Sequence, residues 1–141
     1  MPFFPIINLP TNSLPSLAYD LEGVLFMAEI DPNEQVYIKK SIDQGENWSS
    51  GTLVTNATSA HKPAVACVGE KLLIAWTAND GSDILYFTIS TNGGESFYPI
   101  QPLNGALTKH APNMTGGTIG AVSFISLNGE AEMVTIPSNI T

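Results

Sequence analysis

The sequence predicts an all-β protein made of repeated four-stranded antiparallel units, and three observations predict it. The phrase Ser41-Ile42-Asp43-Gln44-Gly45-Glu46-Asn47-Trp48 returns 49 residues later as Ser90-Thr91-Asn92-Gly93-Gly94-Glu95-Ser96-Phe97. A proline also recurs: Ser13-Leu14-Pro15, His61-Lys62-Pro63 and His110-Ala111-Pro112 fall 48 and 49 residues apart, each opening an apolar stretch. Within each copy the apolar runs are short and punctuated by turn residues, and no long 3.6-residue period supports a helix.

The elements follow in order. In the first copy the runs predict strand A near 14–20, B near 24–30, C near 35–41 and D near 48–54. In the second they predict A near 62–68, B near 71–77, C near 84–90 and D near 97–103. The third has A near 111–115, B near 119–126 and C near 131–136, and the sequence given ends before a fourth strand. Four short strands per copy is the pattern of a β-propeller blade. Residues 1–141 therefore read as one domain of three blades.

A candidate for the missing strand stands at the other end. Phe4-Pro5-Ile6-Ile7-Asn8-Leu9 precedes Pro15 much as Tyr98-Pro99-Ile100-Gln101-Pro102-Leu103 precedes Pro112, so a D strand is expected near 3–9. Propellers close with roughly four to eight blades. Three blades leave an arc with an exposed blade face and an unpaired strand edge, both prone to aggregate. The expectation is a six-bladed homodimer, head to tail about a two-fold axis, with each N-terminal strand completing the other chain's last blade. A fragment of a longer propeller is the rival explanation.

The repeated phrase, Ser-x-(Asp/Asn)-x-Gly-x-x-(Trp/Phe), resembles the Asp-box, and on it the chain is similar to the Asp-box (BNR-repeat) β-propellers, a group that includes sialidases and several lectins. Side chains of Ser and Asp in such a turn bond nearby amides, glycine supplies positive φ and the aromatic packs into the blade. Ser41, Asp43, Gly45, Trp48, Ser90, Asn92, Gly94 and Phe97 are accordingly assigned to folding. The resemblance implies that hydrolysis would need three arginines gripping the substrate carboxylate and a Tyr/Glu nucleophile pair, the first arginine lying two residues before a proline. This chain has no arginine, and the matching positions hold Ser13, His61 and His110. Lysine cannot reproduce the bidentate fork of a guanidinium, so the chain is not expected to be an enzyme.

Composition narrows the partners. Thirteen acidic against five basic residues give a net charge of −8, which repels a phosphate backbone and argues against nucleic acid. Cys67 is the single cysteine, so no intrachain disulfide forms, and its apolar neighbours Ala64-Val65-Ala66 predict a buried thiol with no redox role. The start has no basic n-region, and no apolar run approaches membrane-span length, so the chain reads as soluble and leaderless. Four Asn-x-Ser/Thr sequons, at Asn47, Asn56, Asn113 and Asn139, reflect a composition rich in Asn, Ser and Thr.

Blade topology puts the D-to-A and B-to-C connections on one face, opposite the boxes. That face gathers Ser13, His61, Lys62, Lys109 and His110 from D-to-A, and the turns 31–34, 79–83 and 128–130 from B-to-C. The expected function is carbohydrate binding without catalysis, a lectin-like module whose repeated blades gain avidity from several weak sites. Candidate contacts are His61, Lys62, Trp76, Asn79, Asp80, Asp83, Lys109 and His110, with Trp76 covering sugar C–H groups while carboxylates and amides take hydroxyls. Trp76 as inter-blade core is the competing reading; a structural or protein-interaction propeller is the competing function, with a sialidase-related glycoside hydrolase ranked behind it. No cofactor is expected. His61 and His110 lack the close spacing or carboxylate partner of a metal site, and 79–83 lacks the alternating acids of a calcium loop, so no metal is expected either.

Overall fold

A computed structural model describes residues 6–11 and 13–140. Every regular element among them is a strand, and the strands form three antiparallel sheets. Blade 1 is β1 (Ser16–Tyr19), β2 (Leu25–Ile30), β3 (Gln35–Ser41) and β4 (Thr52–Thr58). Blade 2 is β5 (Ala64–Val68), β6 (Lys71–Thr77), β7 (Ile84–Ser90) and β8 (Gln101–Leu107). Blade 3 is β9 (Asn113–Thr115), β10 (Gly120–Ile125) and β11 (Ala131–Ile136). Each sheet is a simple meander in which every strand pairs with its sequence neighbour.

The A strands β1, β5 and β9 begin at the residue after Pro15, Pro63 and Pro112. Proline has no amide to give a ladder, so pairing starts one residue later. The C strands run over the expected residues in all three copies. Both D strands start four residues later than expected, at Thr52 and Gln101. The reason is that the box turn continues past its aromatic and closes through Ser49 N to the Lys40 carbonyl and Tyr98 N to the Ile89 carbonyl, both at 2.9 Å. Each D strand also carries one left-handed residue, Asn56 (φ 64°) or Gly105 (φ 78°), and its pairing with the C strand shifts register there, as at a β-bulge.

Among the described residues blade 3 has three strands, with β11 outermost. The expected N-terminal D strand falls partly outside the described residues; its described part, residues 6–9, takes no strand conformation here. The following segment lies against blade 1, where Lys39 Nζ donates to the Pro10 carbonyl at 2.6 Å.

The core lies between blades. Phe26, Ala28, Val36 and Ile38 of blade 1 pack on Leu72, Ile74 and Trp76 of blade 2. Leu73, Ala75, Leu85 and Phe87, on the other face of blade 2, pack on Val122, Phe124 and Ile136 of blade 3. Period-two alternation thus lets blade 2 bury both faces, one against each neighbour. The A strands also approach closely: Gly117 N donates to the Cys67 carbonyl at 3.0 Å, and a Cβ on the adjacent Gly116 would sit 2.1 Å from that oxygen. Only glycine fits there.

Candidate functional site

The D-to-A and B-to-C connections share one face, and the same hydrogen bond ties them in two blades. Ser59 N donates to the Glu34 carbonyl and Thr108 N to the Asp83 carbonyl, both at 2.8 Å. Glu34 and Asp83 both have φ near +60°, which turns the last residue of each B-to-C loop toward the outgoing D strand. The hydroxyls of Ser59 and Thr108 then fix the connections that follow: Ser59 Oγ donates to the His61 carbonyl at 2.5 Å, and Thr108 Oγ1 accepts from His110 N at 3.1 Å. Thr77 Oγ1 donates to the His110 carbonyl at 2.7 Å. The two histidines are therefore anchored by backbone, with side chains left to the surface, His61 half-buried and His110 exposed.

Blade 2 brings most of the sequence-predicted residues to this face. Lys109 Nζ and Asp83 Oδ2 form an ion pair at 2.8 Å. Asn79 Oδ1 accepts from Thr58 Oγ1 of the preceding blade at 2.8 Å. Asp80 is exposed and accepts from Ser82 N at 2.9 Å; bonds from the Ser82 side chain and amide hold its carboxyl below the usual carboxylate value. Lys62 is half-buried beside His61. In blade 1 the corresponding loop is closed on itself, Asp31 Oδ1 accepting from Asn33 N and Gln35 N at 2.9 Å. In blade 3 Ser126 donates to Asn128 within the 126–130 turn. Among the described residues no group of three or more His, Cys, Asp or Glu side chains is gathered as metal ligands.

Trp76 is not on this surface. Its side chain is 1 % exposed, lies in the blade 1–blade 2 core, and stacks on Tyr86 with ring centroids 6.2 Å apart. The expectation that it offers a sugar platform is corrected: Trp76 alternates with Thr77 along β6, and the pleat turns the indole into the neighbouring blade. Cys67, expected to be buried, is half-buried, and burial first and Asp20 second push its thiol up to about 11.

Sequence reasoning missed the inner wall. A cavity of about 350 Å³ lies toward the end opposite the candidate face, lined among others by Leu17, Tyr19, Asp20, Cys67, Met114 and Gly117. These residues come from all three A strands and the turns that follow them, and no spacing in the sequence signals that they meet.

The boxes hold the turns on the opposite face. Ser41 Oγ accepts from Gly45 N and donates to Asp43 Oδ1, both at 2.8 Å, while Asp43 accepts from the amide and side chain of Asn47 at 2.8 and 2.7 Å. In the second box Ser90 Oγ accepts from Gly94 N at 2.9 Å, and Asn92 reverses the last bond, donating from Nδ2 to Ser96 Oγ at 2.7 Å. Gly94 (φ +84°) faces Leu72 and, across the blade boundary, Ile38, so a side chain there would be both strained and crowded. Trp48 Nε1 donates to the Gly45 carbonyl at 2.9 Å, and Phe97 packs against the blade 1–blade 2 core.

No protein-family model and no curated protein matches the sequence. Solved structures do. A protein of unknown function from Dyadobacter fermentans is 13% identical with a TM-score of 0.67, over 89% of this chain and 37% of its own. An intramolecular trans-sialidase from Ruminococcus gnavus, in complex with oseltamivir carboxylate, is 11% identical with a TM-score of 0.63, over 89% of this chain and 32% of its own. NanB sialidase from Streptococcus pneumoniae is 13% identical with a TM-score of 0.61, over 84% of this chain and 20% of its own. The chain thus spans well under half the length of the structures it resembles. Among the described residues no helix is long and apolar enough to cross a membrane. Three antiparallel blades and these neighbours give the chain the fold of the sialidase-type β-propellers.

Proposed function

We propose that the chain is a three-blade half of a closed propeller that binds carbohydrate without hydrolysing it, on the face carrying the D-to-A and B-to-C connections. The observation that carries this reading is the pair of equivalent latches, Ser59 to Glu34 and Thr108 to Asp83, which hold that face rigid and leave His61, Lys62, Asn79, Asp80 and His110 at its surface. Fixed polar groups on anchored loops suit recognition of hydroxyls at little entropic cost. The neighbours described as sialidases favour a sugar as the ligand class. The positions before the repeated prolines hold Ser13, His61 and His110, and the chain has no arginine, which favours binding over hydrolysis. In this reading a second copy closes a six-bladed ring, and its N-terminal strand near 3–9 pairs with β11. With Trp76 in the core, contacts are hydrogen bonds without a stacking ring. Each site is then weak, and several sites per ring supply avidity.

A structural or protein-interaction propeller is the second reading. It is favoured by the position of the exposed aromatics, since Tyr19 and Tyr98 both lie away from the candidate face. The test is a glycan array probed with the labelled protein and with a His61→Ala/Asp80→Ala double variant. Selective binding that the variant loses supports the lectin reading. An array with no signal from an intact oligomer, or binding the variant retains, rejects this site.

A further inference from the structure

The two boundaries between blades differ at their inner ends, and strand pairing shows which positions correspond. Trp76 pairs with Tyr86 across β6 and β7, and Glu29 pairs with Tyr37 at the same place in β2 and β3, so Glu29 is the counterpart of Trp76 and Leu25 that of Leu72. Leu25 in turn pairs with Tyr19 and Leu72 with Cys67, which makes Tyr19 the counterpart of Cys67 and Asp20 that of Val68. Val68 is buried at the blade 2–blade 3 boundary and bridges to Gly117. There Gly117 N donates to the Cys67 carbonyl and Gly69 N to the Gly117 carbonyl, both at 3.0 Å. Among the described residues no backbone hydrogen bond joins residues 19–21 to β5 in the same way. Counted from Pro63 and Pro112, Cys67 and Val68 stand where blade 3 has Gly116 and Gly117. A β-carbon at Gly116 would collide with the Cys67 carbonyl, so side chains at those places in β5 keep β1 out of hydrogen-bonding reach.

The unzipped boundary carries a single charge. The cavity of about 350 Å³ lies where the stretches 17–21, 65–69 and 114–117 meet, and among the described residues that line it Asp20 is the one with a charged side chain. None of the five lysines reaches it. Asp20 is half-buried. Its Oδ1 accepts from Glu22 N and Val24 N, both at 2.9 Å, which fixes the carboxylate, while Oδ2 has no hydrogen-bond partner among the described residues. Ala18, two residues earlier and so on the same side of β1, packs in the blade 1–blade 2 core. The charge of Asp20 also adds to burial in raising the Cys67 thiol, so the carboxylate is turned toward β5. Ala18, Val65, Ala66 and Met114 give the rest of the wall an apolar character.

We propose that this cavity binds a small organic monocation, an apolar body carrying one ammonium group, with Asp20 Oδ2 receiving the ammonium and Val65, Ala66 and Met114 enclosing the body. Its volume falls within the range of small-molecule sites, about 300–1,000 Å³. A half-buried carboxylate with an unpaired oxygen gains most from a charged donor, and apolar walls that exclude water strengthen that bond. An anion is opposed by Asp20 and by the net charge of −8. A bare metal ion is opposed by the donor set. Calcium takes about six to eight oxygens and zinc gathers several His, Cys or carboxylate ligands, whereas among the described residues no such group is assembled. An uncharged ligand of the same shape would strip water from the carboxylate and return no counter-charge. The site lies at the end opposite the candidate carbohydrate face and shares none of its residues, so either assignment can fail without the other.

Titration calorimetry with phenethylammonium tests this, with phenethyl alcohol and phenylacetate as its neutral and anionic counterparts. The ammonium compound should bind the wild type roughly tenfold or more tightly than the alcohol, and phenylacetate should not bind. Asp20→Asn keeps an Oδ1 for the amides of Glu22 and Val24 but removes the charge. It should erase the preference for the ammonium compound and leave the alcohol unchanged. Thr115→Trp, at an exposed position on the cavity wall, should fill the mouth and weaken both compounds. Each variant is first checked for an unchanged melt, and if Asp20→Asn misfolds, the wild-type preference and Thr115→Trp decide. Equal affinity for ammonium and alcohol, a preference that survives Asp20→Asn, or binding untouched by Thr115→Trp overturns the site. So does a wild type that binds none of the three compounds at millimolar concentration.

Discussion

Blade 2 and blade 1 put opposite chemistry at one structural position. Trp76 is enclosed between blades and stacked on Tyr86, whereas its counterpart Glu29 is paired with Lys39 beside the equivalent Tyr37. The strands around both are alike in length and pairing. The difference is the neighbour: blade 2 has another blade against that face and can enclose an indole, while among the described residues blade 1 has the segment near Pro10 against it. Glu29 and Lys39 are themselves largely buried there, and a buried charge needs a partner of opposite sign, which each supplies to the other.

The largest test of this contrast is Trp76→Ala. It should cost about 3–5 kcal/mol by leaving a cavity in the blade 1–blade 2 core, read as a large fall in melting temperature. A melt near that of the wild type would return Trp76 to the list of surface residues. Lys39→Ala should cost about 1–3 kcal/mol, because it strips Glu29 of its partner and the Pro10 carbonyl of its donor. A larger loss for Lys39→Ala than for Trp76→Ala would invert the comparison.

The two boxes sharpen it further, since only the first has a carboxylic acid at its third position, Asp43 where the second has Asn92. The Asn47 side chain, the Asn47 amide and the Ser41 hydroxyl hold the Asp43 carboxyl below its ordinary value. A carboxyl whose pKa is depressed in the folded state contributes stability above its unfolded pKa, and that contribution fades as pH falls through the folded one. Asp43→Asn, which gives blade 1 the residue blade 2 has at Asn92, should therefore flatten the loss of stability below about pH 4, measured as melting temperature through the acid range. An unchanged acid limb would remove Asp43 as its source. The smallest effect is expected for Lys109→Ala on the candidate face. Its pair with Asp83 is solvent-exposed and worth about 0.2–1 kcal/mol, so the melt should scarcely move, and a loss larger than that would mean the loop latch depends on the ion pair.

Much of the fold was legible in the residues themselves. Turn chemistry is local: Ser41, Asp43 and Gly45 make their bonds within a few residues, so a short phrase repeated at 49 residues announces two blades. Proline sets the start of each A strand for an equally local reason, the missing amide at Pro15, Pro63 and Pro112. The D strands were placed four residues early because the length of the box return depends on which carbonyl closes it, Lys40 or Ile89, and that choice is made by pairing with the C strand.

The candidate face was half legible. Alternation of connections put the right loops together, and the histidines and Asp80 lie where that topology takes them. Trp76 could not be placed, because whether a residue at the end of a B strand points into the next blade or out to solvent depends on register, and a shift of one residue exchanges the two. The same limit hid the equivalence of Glu29 and Trp76, which are 47 residues apart and do not follow the 49-residue period of the boxes.

By itself, then, the sequence determined the repeat, the order and kind of strands and the turn types, all of which follow from bonds and backbone preferences within a few residues. Only the tertiary structure decided which side chains face a neighbouring blade: that Trp76 is core, that Glu29 and Lys39 pair on the face of blade 1 turned away from blade 2, and that three A strands meet around one cavity. Those facts depend on how one sheet registers against the next, a relation between residues far apart in the chain that no local preference encodes.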